Sequence, residues 1–115
     1  MIELLLSERC DGCGTCVNVC PRDVFELGPD ALPVIRRASD CQTCFLCELY
    51  CDRDALFVHP DAQKAHPQDA ADILAHQTLG DYRRDSGWGE WAEDPALRNQ
   101  HWRMGDVFRR ARGQT

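Results

Sequence analysis

All eight cysteines of this 115-residue chain fall between positions 10 and 51. They form two sets of four with one spacing. Cys10, Cys13, Cys16 and Cys20 read C-x2-C-x2-C-x3-C, and Cys41, Cys44, Cys47 and Cys51 repeat it thirty-one positions later. The pattern constrains the fold more than any other feature. Three thiolates two residues apart can converge from one tight loop on a single centre. The fourth, four positions on, sits at the far end of a short helical turn and points away from that loop.

The double run resembles that of bacterial-type ferredoxins with two [4Fe–4S] clusters. That resemblance implies a small α+β ferredoxin-like fold with a pseudo-two-fold repeat. It also implies an exchange of the fourth ligand between halves. Cys10, Cys13, Cys16 and Cys51 would hold cluster I, and Cys41, Cys44, Cys47 and Cys20 would hold cluster II. No cysteine is missing, so nothing suggests a three-iron centre. Similarity between the halves extends further: Arg22-Asp23-Val24-Phe25 aligns with Arg53-Asp54-Ala55-Leu56, and Leu4 with Ile35. Two copies of one β-α-β-like unit are the expectation. Pro21 follows Cys20, but Asp52 follows Cys51. That difference is drift at a tolerant position, or a carboxylate that lowers the potential of cluster I.

Residues 1–59 make up the expected ferredoxin domain, too small to rely on an apolar core alone. Metal centres would supply the missing stability, and the metal-free chain should be largely unfolded. Four disulfides in a secreted protein are the rival use of eight cysteines. No basic leader precedes Leu4-Leu5-Leu6, and no apolar run reaches membrane-spanning length, so a reducing cytoplasm is expected. The formal net charge is −6, and residues 1–59 carry ten acids against five arginines. An acidic body argues against nucleic acid and suits a carrier that docks on basic patches. The excess of arginine over a single lysine, Lys64, looks like base composition.

Along the chain, Met1 to Ser7 reads as a strand. Gly12 and Gly14 give the first loop access to positive φ. Val17 to Cys20 is a short helix stopped by Pro21. Phe25 to Leu27 and Val34 to Arg36 alternate about Gly28-Pro29-Asp30, which predicts a hairpin. The second loop carries Thr43 and Phe45 in place of the glycines. Phe45 either shields a cluster or belongs to a docking face. Glu48 to Cys51 predicts a second short helix, and Ala55 to Val58 a last strand pairing with the first. The histidines at 59, 66, 76 and 101 show no ligand spacing, and no ligation by them is expected.

Residues 60–115 form an extension of different character, with all three tryptophans and no cysteine. Pro60 to Pro67 reads as a linker. A helix is predicted over Asp69 to Leu79, capped by Asp69 and stopped at Gly80, and another from Pro95 to about Arg112, capped by Asp94. Leu97, His101, Met104, Phe108 and Ala111 give that helix one apolar stripe, and Tyr82 to Trp91 reads as irregular. Tail aromatics with few aliphatics must bury on the body or on another subunit, and the second is the expectation. Truncation near residue 62 should then spare the clusters and abolish the association.

The second cysteine run, with Leu79-Gly80-Asp81-Tyr82-Arg83-Arg84 and Gly87-Trp88-Gly89, resembles small ferredoxin subunits that accompany FAD-dependent flavoproteins. Those partners belong to the fumarate reductase and adenylylsulfate reductase group. The resemblance implies an electron-transfer subunit of an oxidoreductase, not catalytic alone, in a hetero-oligomer with an FAD-containing subunit. It also places cluster II, beside Gln42, Phe45 and Leu46, on the flavin side. A free diffusible ferredoxin serving several reductases is the alternative. A non-redox zinc module fits poorly, because zinc sites use paired C-x2-C knuckles.

Overall fold

The computed structural model describes residues 1–76 and 78–113. Its centre is a two-stranded antiparallel ribbon of β1 (Ile2–Leu5) and β4 (Leu56–Val58), so the two ends of the cysteine-bearing region lie side by side. Ile2 faces Val58, and Leu5 faces Leu56, with the register shifting between Ile2 and Leu4. The ladder continues past the strands, where Leu6 N donates to Ala55 O at 2.7 Å and the Met1 ammonium donates to His59 O at 2.6 Å. A second ribbon, β2 (Phe25–Leu27) with β3 (Pro33–Ile35), is the hairpin predicted about Gly28-Pro29-Asp30.

Two five-residue helices, α1 (Thr15–Val19) and α2 (Leu46–Tyr50), each begin inside a cysteine loop and lie against one another. Each ends at the fourth cysteine of its set. Cys20 and Cys51 are both extended, with ψ 117° and 102°. For Cys20 the reason is Pro21, whose ring excludes the helical region at the preceding residue. Ile2, Val24, Phe25, Leu56 and Val58 form the core together with Cys16, Phe45 and Cys47. Three of those eight core residues come from the cysteine loops, so apolar packing and the thiols occupy the same space.

The extension departs from expectation in three places. The helix expected over 69–79 is shorter, α3 (Ala70–His76), and Gln77 lies outside the described residues. Asp69 does cap it, its carboxylate accepting from Ala71 N at 2.8 Å. Gly80 is not its stop: with φ 81° it opens a further helix, α4 (Asp81–Asp85), in a stretch read as irregular. The helix expected from Pro95 begins only at Met104, as α5 (Met104–Ala111). Asp94 accepts from Ala96 N at 2.9 Å, but Asn99 at φ 60° breaks the run and a 3-10 turn at His101–Arg103 follows.

A polar network explains α4. Arg110 of α5 reaches Asp81 at 3.0 Å and Asp85 at 2.8 Å, and Arg84 reaches the same carboxylates at 3.2 and 2.8 Å. Both aspartates are buried, and the Arg84 and Arg110 guanidinium groups hold the Asp85 carboxyl below its usual range against the opposing effect of burial. Charges 25 and 29 residues apart in sequence thus share one cage, which a linear reading of charge does not reveal.

The tail aromatics divide between body and solvent. Tyr82 stacks on Phe45 at 4.5 Å between centroids and 14° between planes, and Phe108 lies 5.3 Å from Phe45. Trp88 meets Tyr50 edge-on at 5.4 Å, and both rings stay partly exposed. Trp102 is 69% exposed, with the Arg103 guanidinium 5.0 Å over its ring.

Candidate metal centre

The chain brings the eight cysteines to two cavities of nearly equal size, about 330 and 340 Å³ including their mouths. One is walled by Cys20, Cys41, Cys44 and Cys47, the other by Cys10, Cys13, Cys16 and Cys51. Each wall takes three cysteines from one run and the fourth from the other. The crossing follows from the fold. The helices α1 and α2 pack together, so the extended residue that ends each one emerges beside the other loop. All eight thiols are free.

The loop backbones explain how three thiols converge. Gly12 and Gly14 sit at φ 79° and 74°. Thr43 and Phe45, thirty-one positions later, take φ 58° and 63° without glycine's freedom. For a side chain with a β-carbon that conformation costs roughly 1–2 kcal/mol. The same turn recurs below the loops, at Asp23 with φ 55° and Asp54 with φ 50°. Left-handed residues turn successive N–H groups inward. Gly12 N donates to Cys10 Sγ at 3.4 Å, and Thr43 N to Cys41 Sγ at 3.4 Å. Ile2 N adds a bond to Cys41 Sγ at 3.3 Å, tying the central ribbon to the second loop.

Most of the remaining wall is apolar: Ile2, Val24, Phe25, Phe45 and Val58 in one cavity, with Arg22 and Gln42 beside them, and Leu5, Pro33, Ala55 and Leu56 in the other, with Asp11, Thr15 and Arg53. Burial pushes the Cys16 thiol up to about 11, with the neighbouring Cys51, Cys10 and Cys13 adding to the shift. Burial raises Cys47 further, with Glu48 beside it, and raises Cys51 in the same sense. Four thiolates in such a pocket would repel one another, and a cationic metal centre relieves that repulsion. The donor set is thus all sulfur, dry-walled and backed by amide donors, which fits an iron–sulfur cubane at each position.

Glu48 was missed by sequence reasoning. It is 3% exposed, next to Cys47, and accepts from Val58 N at 3.1 Å. Burial pushes its carboxyl up to about 8, with Asp81 and Asp54 acting in the same direction. A lone glutamate among charged residues carries no sequence signal of this kind. Phe45 is 6% exposed beneath Tyr82 and Phe108, so it shields the second cavity and is not a surface docking patch. Asp52 is exposed and lines neither cavity, whereas Arg53 lines the first-loop cavity. Water therefore screens Asp52, and drift is the better account of it.

His59 and His66 stack at 4.2 Å, and Asp61 stands beside them. His76 lies on a cleft shared with both, while His101 is exposed in the 3-10 turn.

Residues 9–56 match the family model of a 4Fe–4S dicluster domain. The chain therefore carries a 4Fe–4S ferredoxin-type domain, which indicates iron–sulfur electron transfer. A stretch of 32 residues is 47% identical to part of the DNA-directed RNA polymerase subunit Rpo3 of Archaeoglobus fulgidus. It covers 28% of this chain and 12% of that subunit, so the likeness is confined to one segment of each. No solved structure matches the chain. Among the described residues, no helix is long and apolar enough to cross a membrane.

Proposed function

We propose that this protein is an electron-transfer subunit with two [4Fe–4S] clusters, working with an FAD-containing oxidoreductase. The observation that carries the reading is the pair of cavities, each walled by four free thiols in the crossed arrangement. Cys10, Cys13, Cys16 and Cys51 hold one cluster, and Cys41, Cys44, Cys47 and Cys20 the other. The recurrence of left-handed residues at 12 and 43, 14 and 45, and 23 and 54 supports two copies of one unit. Bound clusters supply one-electron redox chemistry between metal centres. The chain's own residues hold the sulfurs, exclude water and donate N–H groups toward thiolate, which favours the reduced, more negative state.

The side of electron exchange follows from exposure. Cys13 is the exposed thiol, whereas Cys41 and Cys44 are half-buried and Cys47 lies beneath its loop. Tyr50, directly before Cys51, forms an exposed edge pair with Trp88. Aromatic side chains of this kind anchor protein interfaces. We infer that a flavin partner docks on the Cys13 side and not, as the resemblance implied, beside Phe45, because the chain's own Tyr82 and Phe108 cover Phe45.

A diffusible ferredoxin is favoured by one observation, the packing of Tyr82 and Phe108 on Phe45, which uses tail aromatics internally. Anaerobic affinity purification separates the two. Co-elution of a stoichiometric second chain carrying flavin, lost on Trp88→Ala with iron retained, supports the subunit. A brown monomer that never retains a flavoprotein refutes it in favour of the diffusible carrier.

A further inference from the structure

We propose that His59, Asp61 and His66 form a separate binding site for a first-row divalent transition ion, with Zn²⁺ as the natural probe. One ligand atom from each residue lies within 4.8 Å of the others. His66 Nε2 lies 2.8 Å from Asp61 Oδ2, yet it is buried without hydrogen-bond geometry to any partner. At 2.8 Å the two atoms stand at ion-pair distance and would separate slightly to admit a cation between them. Ligands on zinc at about 2.0–2.1 Å stand roughly 3.3 Å apart in a tetrahedron. The widest pair, within 4.8 Å, needs to draw in by up to about 1.5 Å on that scale.

The loop that carries the three residues is pinned at both ends. The Met1 ammonium donates to His59 O at 2.6 Å and to Asp61 O at 2.8 Å. His66 N donates to the Glu3 carboxylate, and Gln68 Nε2 donates to His66 O at 2.6 Å. Those bonds use main-chain atoms and leave the side chains to converge. Arg112 approaches the other oxygen of Asp61 at 3.4 Å, which orients the carboxylate as outer partners do around metals. His59 is 5% exposed, and its burial and the neighbouring His66 keep the imidazole neutral, the form that ligates. Its Nδ1 now accepts from Asp61 N at 3.1 Å. An ion at that nitrogen displaces this bond, so affinity should fall short of a structural zinc site.

His59 and His66 also line an open cleft of about 690 Å³, in which Thr78 Oγ1 is buried without a partner among the described residues. The cleft gives room for water to complete the coordination sphere. The cleft shares no lining residue with either cysteine cavity.

The test is equilibrium dialysis of the iron-loaded protein against Zn²⁺ alone, with iron and zinc counted together. We expect one zinc per chain at unchanged iron. Affinity should fall at least about tenfold in His66→Ala and in Asp61→Asn, the scale on which even outer-shell changes act. His101→Ala, at an exposed histidine elsewhere, should leave binding intact. No zinc beyond the cysteine sites, zinc taken up only as iron leaves, or equal binding in His66→Ala and Asp61→Asn would overturn the site.

Discussion

Replacing Tyr82 by alanine should loosen the second cysteine cavity although Tyr82 lies some thirty residues beyond it. Tyr82 stacks on Phe45 at 4.5 Å and lies 6.2 Å from Phe108, and Phe45 forms part of the cavity wall. Full burial of a large aromatic is worth about 3–5 kcal/mol on truncation to alanine. Tyr82 is half-buried, so about half of that applies, with roughly 0.5–1.5 kcal/mol for the ring pair. The cost is then roughly 2–4 kcal/mol. If iron leaves through local opening, that multiplies the open population by roughly 30- to 900-fold. The assay is anaerobic iron loss to a chelator, followed by visible absorbance. Tyr82→Ala should lose half of its iron in a fast phase and the rest at the wild-type rate. Trp102→Ala, at a ring 69% exposed, should behave as wild type. A Tyr82→Ala rate within twofold of wild type, or equal acceleration of both phases, would refute the idea that the tail caps one cavity.

Other expectations follow from single contacts. A β-carbon at Gly80 would lie 2.6 Å from Asp54 Cγ on a backbone at φ 81°, so Gly80→Ala should destabilise by at least about 1–2 kcal/mol. Thermal bleaching would show it, with partial recovery in the Asp54→Ala background. Thr43→Gly should slow bleaching, because it removes left-handed strain and a buried hydroxyl without a partner. Glu48 is an acid whose folded pKa is raised above its usual 4.5 to about 8. The folded state then binds more protons than the unfolded one between those values, so stability falls with rising pH through that window and levels above it. Glu48→Gln should flatten that fall while keeping an acceptor for Val58 N–H, and Glu48→Ala should destabilise at every pH. Asp52→Asn should leave both cluster potentials unchanged in a redox titration, since Asp52 is exposed outside both walls.

The cysteine region was legible because its chemistry is tied to spacing. The hairpin about Gly28, both short helices and the pairing of the first and last strands were all readable from periodicity and punctuation. The left-handed positions of the second loop were not legible, because Thr43 and Phe45 occupy them with side chains that rarely adopt that conformation. The extension was less legible, because its order comes from contacts between distant residues. Arg110 with Asp81 and Asp85 builds α4, and no local pattern announces it. Pro95 after Asp94 is a sound helix start, but Asn99 turns the chain before a second turn can form. Phe45 was ambiguous for the same reason: Tyr82 and Phe108, which cover it, lie far along the chain. The His59–Asp61–His66 group escaped notice because its geometry depends on pinning by Met1 and Glu3.

The central claim is that each run of cysteines lends its last member to the other centre. Iron counting in paired variants tests it most directly, with each protein prepared and analysed anaerobically. Cys20→Ala and Cys44→Ala belong to one cavity, so their combination should retain the same half of the iron as either alone. Cys20→Ala with Cys13→Ala strikes both cavities and should retain almost none. The opposite result, half retained when Cys20 is paired with Cys13 and none when it is paired with Cys44, would contradict the crossed arrangement.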